Sequence, residues 1–301
     1  MSAGDETGKD GFILISVLVV TMLFVTVSAT MVTRSRVFVL QERNRMESAA
    51  LQAKVDGVAR LAAFDIMRER FPLPTTGVTG ACRNGDMEIS VSAIDQEMLL
   101  DLNGAPPQMI TDVLTAIGIS ETEAKIIAAQ IVDYRDPDDL TQPLYGAEAM
   151  EYQRAGLGWR PRNSYFVDAT EFSQIPAATG EVTARLAPLM TVDNPRAAID
   201  PAVLYRLYGR SPTMEKALQR WVVKSRVERL ALRVEARVKG RAITSRLAVF
   251  SVLGSGGVPK FLKWARYEIG RAADSGMDEV DNPNRPEVCA WLAASEAKQV
   301  R

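Results

Sequence analysis

Histidine is missing from all 301 residues, and cysteine occurs only at Cys82 and Cys289. Without histidine, imidazole acid–base catalysis, Ser-His-Asp and Cys-His triads, and histidine-ligated zinc or haem are excluded. Two cysteines cannot build a four-thiolate metal site. They form one disulfide if the body lies outside the cytoplasm, or stay two thiols if it does not. Net charge is also nearly absent, at −1. Its distribution is uneven, however. Asp95 to Leu204 carries 17 acidic and 7 basic side chains, a net of −10, whereas Glu215 to Arg246 carries 3 and 10, a net of +7. An acidic middle section repels nucleic acid and favours cations. The remaining composition, 47% hydrophobic and 24% charged, is that of one or two globular domains.

Charge is absent from one long stretch as well. Phe12 to Val32 holds no ionisable side chain, begins behind Gly11, and ends before Arg34 and Arg36. As a helix the run spans about 31 Å, enough to cross the hydrocarbon core of a bilayer. Three readings fit it. A cleaved secretory signal would use the small residues of Val27-Ser28-Ala29, but Asp5, Glu6 and Asp10 outnumber Lys9 in a leader that should be basic. A plain anchor would place the arginine-flanked side in the cytoplasm. A type IV prepilin leader is a short polar segment, a Gly, then Phe opening an apolar helix, and Gly11-Phe12 looks like that junction.

After the run, Leu51, Val55, Val58, Ala62 and Ile66 recur at spacings of three and four, with no proline before Pro72. The pattern predicts that the helix continues as an amphipathic stem over 33–72, about 90 Å in all. A turn-rich segment then leads to an alternating strand, MEISVSA, within 86–94. Three further alternating runs follow within 227–270, joined by glycine-containing turns, as in an antiparallel meander. In the first of these, Leu230, Leu232, Val234, Ala236 and Val238 alternate with Arg229, Arg233, Glu235 and Arg237, which predicts one buried face and one solvated charged face. One early strand and three late ones imply a single sheet, packed on the stem helix and interrupted by a helical insertion over 95–226. Residues 271–301 read as a polar, weakly ordered tail.

Within the insertion, Asp133, Asp136, Asp138 and Asp139 crowd into seven residues, with Glu148 and Glu151 shortly after. Closely spaced oxygen donors suit calcium, although the pattern is not that of an EF-hand. A solvated acidic loop is the competing reading. Residues 101–135 also resemble a helix-hairpin-helix module that grips DNA backbones. Its turn here is Ile117-Gly118-Ile119-Ser120, with Ser120 in place of the second Gly and with Glu121 and Glu123 where a phosphate would approach.

Several segments together are similar to the K-type minor pseudopilins of type II secretion (general secretion pathway protein K). They are the Gly11-Phe12 junction, DLN at 101–103, D-x-x-D-x-D-D at 133–139 followed by Gly146-Ala147-Glu148, and WRPRN at 159–163. TEFSQIP, ARLAPLMTV at 184–192 and Ile199-Asp200-Pro201-Ala202 complete the series. The resemblance covers about 12–210.

It implies an α+β, type IV pilin-like fold: a long N-terminal transmembrane and stem helix on an antiparallel sheet with a large helical insertion. It further implies a leader over 1–11, cleavage between Gly11 and Phe12 by prepilin peptidase, N-methylation of Phe12, and a transmembrane helix over 12–32. The chain would then be a single-pass protein of the bacterial inner membrane, its N-terminus cytoplasmic and its body periplasmic. Most pilins carry Glu at the fifth mature position, where this chain has Ser16, which fits a place at the filament tip. The implied partners are the I- and J-type minor pseudopilins, the major pseudopilin and the inner-membrane secretion platform. The implied role is structural, not enzymatic: a tip subunit that supports pseudopilus initiation and export across the outer membrane. Family members resemble calcium binders at the acidic loop, making Asp133, Asp136, Asp138, Asp139 and Glu148 the candidate ligands. Two alternatives remain open, a membrane-anchored DNA-binding protein of a DNA-uptake system and a tip subunit of a related type IV pilus.

Overall fold

The computed structural model describes residues 7–239, 241–253, 257–266 and 286–299. The chain falls into two units, Met1–Gln52 and Ala53–Arg301. Helix α1, Thr7–Met67, runs through both.

In the first unit α1 is apolar from Leu14 to Val32, with a mean hydropathy of 2.3 over its most apolar window and apolar side chains that are exposed among the described residues. Four of its threonine hydroxyls are satisfied within the helix. Thr21, Thr26, Thr30 and Thr33 each donate to a carbonyl three or four residues earlier, at 2.8–3.0 Å. A hydroxyl closed on its own helix leaves no unmet donor in a medium without water. The segment is long and apolar enough to cross a membrane.

In the second unit the strands, in chain order, are β1 (Thr76–Asn84), β2 (Met87–Asp95), β3 (Leu100–Asp101), β4 (Met190–Thr191), β5 (Arg229–Val238), β6 (Arg241–Ser251) and β7 (Lys260–Ala265). The remaining α-helices are α2 (Pro107–Ala116), α3 (Glu121–Arg135), α4 (Ala149–Arg154), α5 (Gly180–Leu186), α6 (Ala202–Tyr208), α7 (Pro212–Leu218) and α8 (Pro286–Gln299). Five strands form one antiparallel sheet in the order β1-β2-β5-β6-β7. Its register pairs Val91 with Val234 and Ala93 with Leu232, which aligns the apolar residues of β2 and β5 on one face. There they meet Val55, Val58, Ala59, Ala62 and Ala63 of α1, all buried. A bidentate ion pair crosses the same interface: Arg246 of β6 donates to both carboxylate oxygens of Asp56 at 2.7 and 3.0 Å. The pilin-like arrangement of helix, antiparallel sheet and helical insertion is thus present.

The structure corrects several expectations. Helix α1 ends at Met67, short of 72, because Glu69 takes a left-handed φ of +54° and Arg70 turns back onto the Asp65 carbonyl. The segment read as turns contains strand β1, whose glycines hide the alternation. Gly80 lies in it because a Cβ there would meet Val288 at 2.6 Å, so a close neighbour demands the missing side chain. That neighbour is α8, which replaces the expected weakly ordered tail at 286–299, whereas 267–285, 300 and 301 lie outside the described residues. Val288 and Leu292 are buried, and Trp291 donates to Asp65 at 2.7 Å while meeting Phe71 edge-on. Cys289 of α8 is disulfide-bonded to Cys82 of β1, with Cα atoms 5.0 Å apart. The second face of the sheet is also not simply solvated. Ile94, Ala231 and Val249, aligned across β2, β5 and β6, join the core of the insertion, and Glu235 is only 6% exposed.

The disulfide closes a loop of 207 residues, and α8 has no other covalent tie to the sheet edge. Cys289→Ser is expected to loosen α8 and lower the unfolding free energy by about 2–5 kcal/mol. Urea denaturation of the wild type with and without reductant should reproduce that difference. Coincident midpoints would mean that the apolar contacts of α8 suffice.

Candidate functional site

The insertion is tied at its two ends before it builds anything. Just after β2, the buried Glu97 accepts from the backbone N–H groups of Arg226 (2.9 Å) and Glu228 (3.1 Å), just before β5, and pairs with Arg196 at 3.3 Å. Ser225 bridges Glu97 and Asp95 through its hydroxyl. Further in, Asp101 accepts from Asn103, Gly104 and Asn194 N–H groups at 2.6–3.0 Å. The side chain of Asn103 exchanges two hydrogen bonds with the Phe166 backbone, at 2.9 and 2.8 Å. The DLN segment therefore holds β3 against β4 and clips the 163–167 loop to it.

Helix α3 aims the acidic corner. Ser120 caps its start by accepting from Glu123 N–H at 3.3 Å, and Ala124, Ile127, Ala128 and Ile131 bury one face. This burial carries Asp133, one turn further on, to 0% exposure. Asp133 is partly satisfied, accepting from Gln142 N–H at 3.1 Å and Ala147 N–H at 2.6 Å. Gly146 is required beside it: a Cβ there would stand 2.2 Å from a carboxylate oxygen of Asp133 and 2.5 Å from the Gln142 nitrogen. Tyr134, the next residue, stacks on Phe166 at 4.3 Å and fixes the far wall. Across the corner, Asn163 donates to the Asp138 carbonyl at 2.7 Å and to Asp139 at 2.9 Å.

All five predicted carboxylates act on one another electrostatically. Burial pushes Asp133 up to about 6, with the charges of Asp136 and Asp138 adding to the shift against the Gln142 and Ala147 hydrogen bonds. Burial likewise pushes Glu148 up to about 7, helped by Asp133, Asp136, Asp139 and Asp138. Asp136 is raised by burial and by Asp138. Among the described residues no Lys or Arg pairs with any of the five. One oxygen of Asp136, both of Glu148, the amide oxygen of Asn163 and the hydroxyl of Tyr152 are buried without a hydrogen-bond partner.

Buried unpartnered oxygens are costly, and a cluster of them suits a hard cation. The donor set, carboxylates plus an amide, fits calcium chemically, although among the described residues no three acids are already gathered as a metal cluster. Sequence reasoning chose the carboxylates and overlooked Asn163 and Tyr152. The signal for Asn163 lay in WRPRN, the segment that docks against Asp138 and Asp139.

Gly11 and Phe12 fall within α1, where side chains before Leu14 are outside the described set; Ser16 lies on the same helix. The α2–α3 hairpin exists, with Gly118 at φ +86° in its turn. The α3 N-terminus presents exposed Glu121 and Glu123, and Lys125 is occupied by Glu121 at 2.6 Å. Arg185 reaches the turn and is engaged there, donating to the Ile117 carbonyl at 2.7 Å, so the two glutamates stand at the helix N-terminus and the arginine beside the turn.

Residues 95–194, the segment that builds this corner, match the family model described as type II secretion system (T2SS), protein K. Comparison with curated proteins gives no match. The fold is similar to a chain of the GspK-GspI-GspJ complex crystal structure from the enterotoxigenic Escherichia coli type 2 secretion system. The TM-score is 0.57 at 14% identity, over 76% of this chain and 98% of that one. The match to the type II secretion system protein K model thus rests on residues 95–194, a third of the chain, and the likeness to the solved complex is one of fold.

Proposed function

We propose that the chain caps the tip of a type II pseudopilus, initiating its assembly with I- and J-type minor pseudopilins and so supporting export across the outer membrane. The observation that carries this reading is the exposed apolar stretch of α1 from Leu14 to Val32 in a chain whose sheet bears the helical insertion. Helix and sheet supply what a pilin needs to join a filament. The insertion makes it a poor subunit to stack beneath another. The solved complex of similar fold contains GspI and GspJ, which supports the choice of partners.

On this reading prepilin peptidase cuts between Gly11 and Phe12, Phe12 is N-methylated, and the body lies in the periplasm. The protein would also contact the major pseudopilin and the inner-membrane platform. Its role is structural and not catalytic. Gly11→Val is expected to leave an unprocessed chain about eleven residues heavier, visible by mass spectrometry. A wild-type mature N-terminus at Thr30 would instead indicate signal peptidase and overturn the reading.

Ser16 bears on position in the filament. In an apolar bundle a carboxylate at this depth would neutralise the terminal amine of a neighbour, and a subunit without one is suited to the end of the stack. Ser16→Glu is expected to reduce secretion or move the subunit below the tip, as measured by crosslinking to the J-type partner. Unchanged secretion and unchanged crosslinks would remove Ser16 from the mechanism.

Calcium at the acidic corner would be held by Asp136, Asp138, Asp139, Glu148 and Asn163, with Asp133 bracing the loop. The ion would supply the positive charge that the corner lacks. The pH dependence has a defined sign. Asp133 and Glu148 are raised in the folded state from 3.8 and 4.5 to about 6 and about 7, so the fold favours their protonated forms. Their contribution to stability is full below about pH 4 and is lost as pH rises through 7. In chelator, therefore, the melting temperature should fall between pH 4.5 and 7.5. Calcium should reverse the fall, adding about 2.7 kcal/mol at a hundredfold excess over its dissociation constant, and magnesium should do less. Superimposable curves with and without calcium would leave the loop as a solvated acidic surface.

A further inference from the structure

Apolar side chains in the second unit are mostly buried, but one region breaks the rule. Among the described residues eleven large apolar residues after Gln52 are exposed, and six of them lie between 140 and 167: Leu140, Leu144, Met150, Trp159, Tyr165 and Val167. The two segments that carry them are joined, since Asn163 is bonded to Asp138 and Asp139. Leu140 and Tyr165 each follow that junction by two residues. Leu140 and Tyr165 thus flank one fixed contact, with Leu144 four residues along the same loop.

Leu144 is the most informative member. It is 91% exposed and has a φ of +74°, a left-handed backbone that disfavours leucine. A solvent-exposed turn position in that conformation suits Gly or Asn better. Neither burial nor backbone preference accounts for leucine here.

The surroundings decide what such a patch would meet. Between 136 and 151 there are five carboxylates and no Lys or Arg. Glu151 is paired with Arg154 at 2.8 Å, and the adjoining segment brings Arg160 and Arg162, the latter paired with Glu171 at 3.5 Å, so the rim is acidic through Asp136, Asp138, Asp139 and Glu148. Anionic lipid headgroups and nucleic acid are repelled by such a rim, whereas a polypeptide segment that alternates basic and apolar residues complements it in both respects.

We propose that Leu140, Leu144 and Tyr165, with the acidic rim of 136–151, form a docking surface for a basic, apolar segment of another protein. The proposal does not require the pseudopilin reading. It uses only the patch, its charge and the backbone at Leu144.

The test uses the full chain in phosphatidylcholine nanodiscs, with empty discs as the blank. The probes are three fluorescent heptapeptides alternating Lys with Leu, Glu with Leu, and Lys with Ser, followed by anisotropy. The Lys–Leu peptide should bind and weaken with added salt, while the other two should bind at least about tenfold more weakly. Leu140→Ser with Tyr165→Ser should reduce Lys–Leu binding about tenfold at an unchanged melting temperature. Leu144→Asn separates surface function from folding: it should raise the melting temperature, because asparagine tolerates the left-handed backbone, and still weaken binding. Equal binding of the Glu–Leu peptide, absence of Lys–Leu binding, or Leu144→Asn binding as tightly as wild type would each overturn the proposal.

Discussion

The carboxylate of Glu97 is the constraint on which the second unit depends. It sits just past the end of β2, 2% exposed, and it reaches the backbone of Arg226 and Glu228 just before β5. Strands β2 and β5 are neighbours in the sheet, so everything between them must leave and return at one point. Closing a long loop costs conformational entropy that grows only slowly with its length, but the ends must still be held. Glu97 does this with two backbone donors, the Ser225 hydroxyl and the Arg196 guanidinium, which in turn pairs with Glu228 at 2.8 Å. A buried charge with all these partners fixes one geometry; with any removed it is left uncompensated.

From that root the insertion gains a core continuous with the sheet. Ile94, Ala231 and Val249 carry it across the second sheet face, and Val113, Ile127, Leu186 and Val203 carry it outward through successive helices. Asp101 and Asn194 close the next layer, where β3 and β4 pair in parallel and Asn194 also donates to the Leu99 and Ala198 carbonyls. Arg135, at the end of α3, donates to the Leu102 and Ala105 carbonyls at 2.6 and 2.8 Å. The acidic corner thus stands on a chain of satisfied polar contacts that leads back to the sheet. Its position is set by them, not by the carboxylates that line it.

How far this was legible follows from where each signal resides. Periodicity carries the stem, β2 and β5, because Val55, Val58 and Ala62 or Leu230, Leu232 and Val234 repeat at the spacing of their element. It fails at β1, where Gly77 and Gly80 stand in a strand because the chain bulges and α8 approaches, both of them tertiary causes. It fails again at α8, whose docking rests on a disulfide partner 207 residues away and on Trp291 reaching Asp65. The carboxylates were visible as a cluster, but Asn163 was not visible as their neighbour. The contact between WRPRN and Asp138 and Asp139 belongs to the fold and leaves no spacing in the chain. Likewise, alternation alone gave Arg229, Arg233, Glu235 and Arg237 a solvated face, since it could not anticipate the insertion covering part of it.

The net charge of −10 between Asp95 and Leu204 is also not one property once it is folded. Some of its acids have cations: Glu97 has Arg196, Asp112 has Arg220 at 2.9 Å, Glu151 has Arg154 at 2.8 Å, and Asp168 has Lys263. Others are quenched by backbone donors, as Asp101 is by three N–H groups. The acids of the corner have neither in full. Asp133 receives two backbone donors yet remains raised, and Glu148 has two buried oxygens with no partner. Had the fold only to tolerate surplus negative charge, solvent exposure would have been the cheapest solution, as it is for Glu121 and Glu123. Asp138 and Asp139 are exposed in the same way, but Asp133 and Glu148 are held inside, with Gly146 making room beside Asp133. The same corner leaves Leu140, Leu144 and Tyr165 exposed. Charge retained without a cation and apolar surface retained without a cover are both departures from what stability alone selects. Their coincidence on one edge of the insertion is the physical support for the calcium and docking proposals made there.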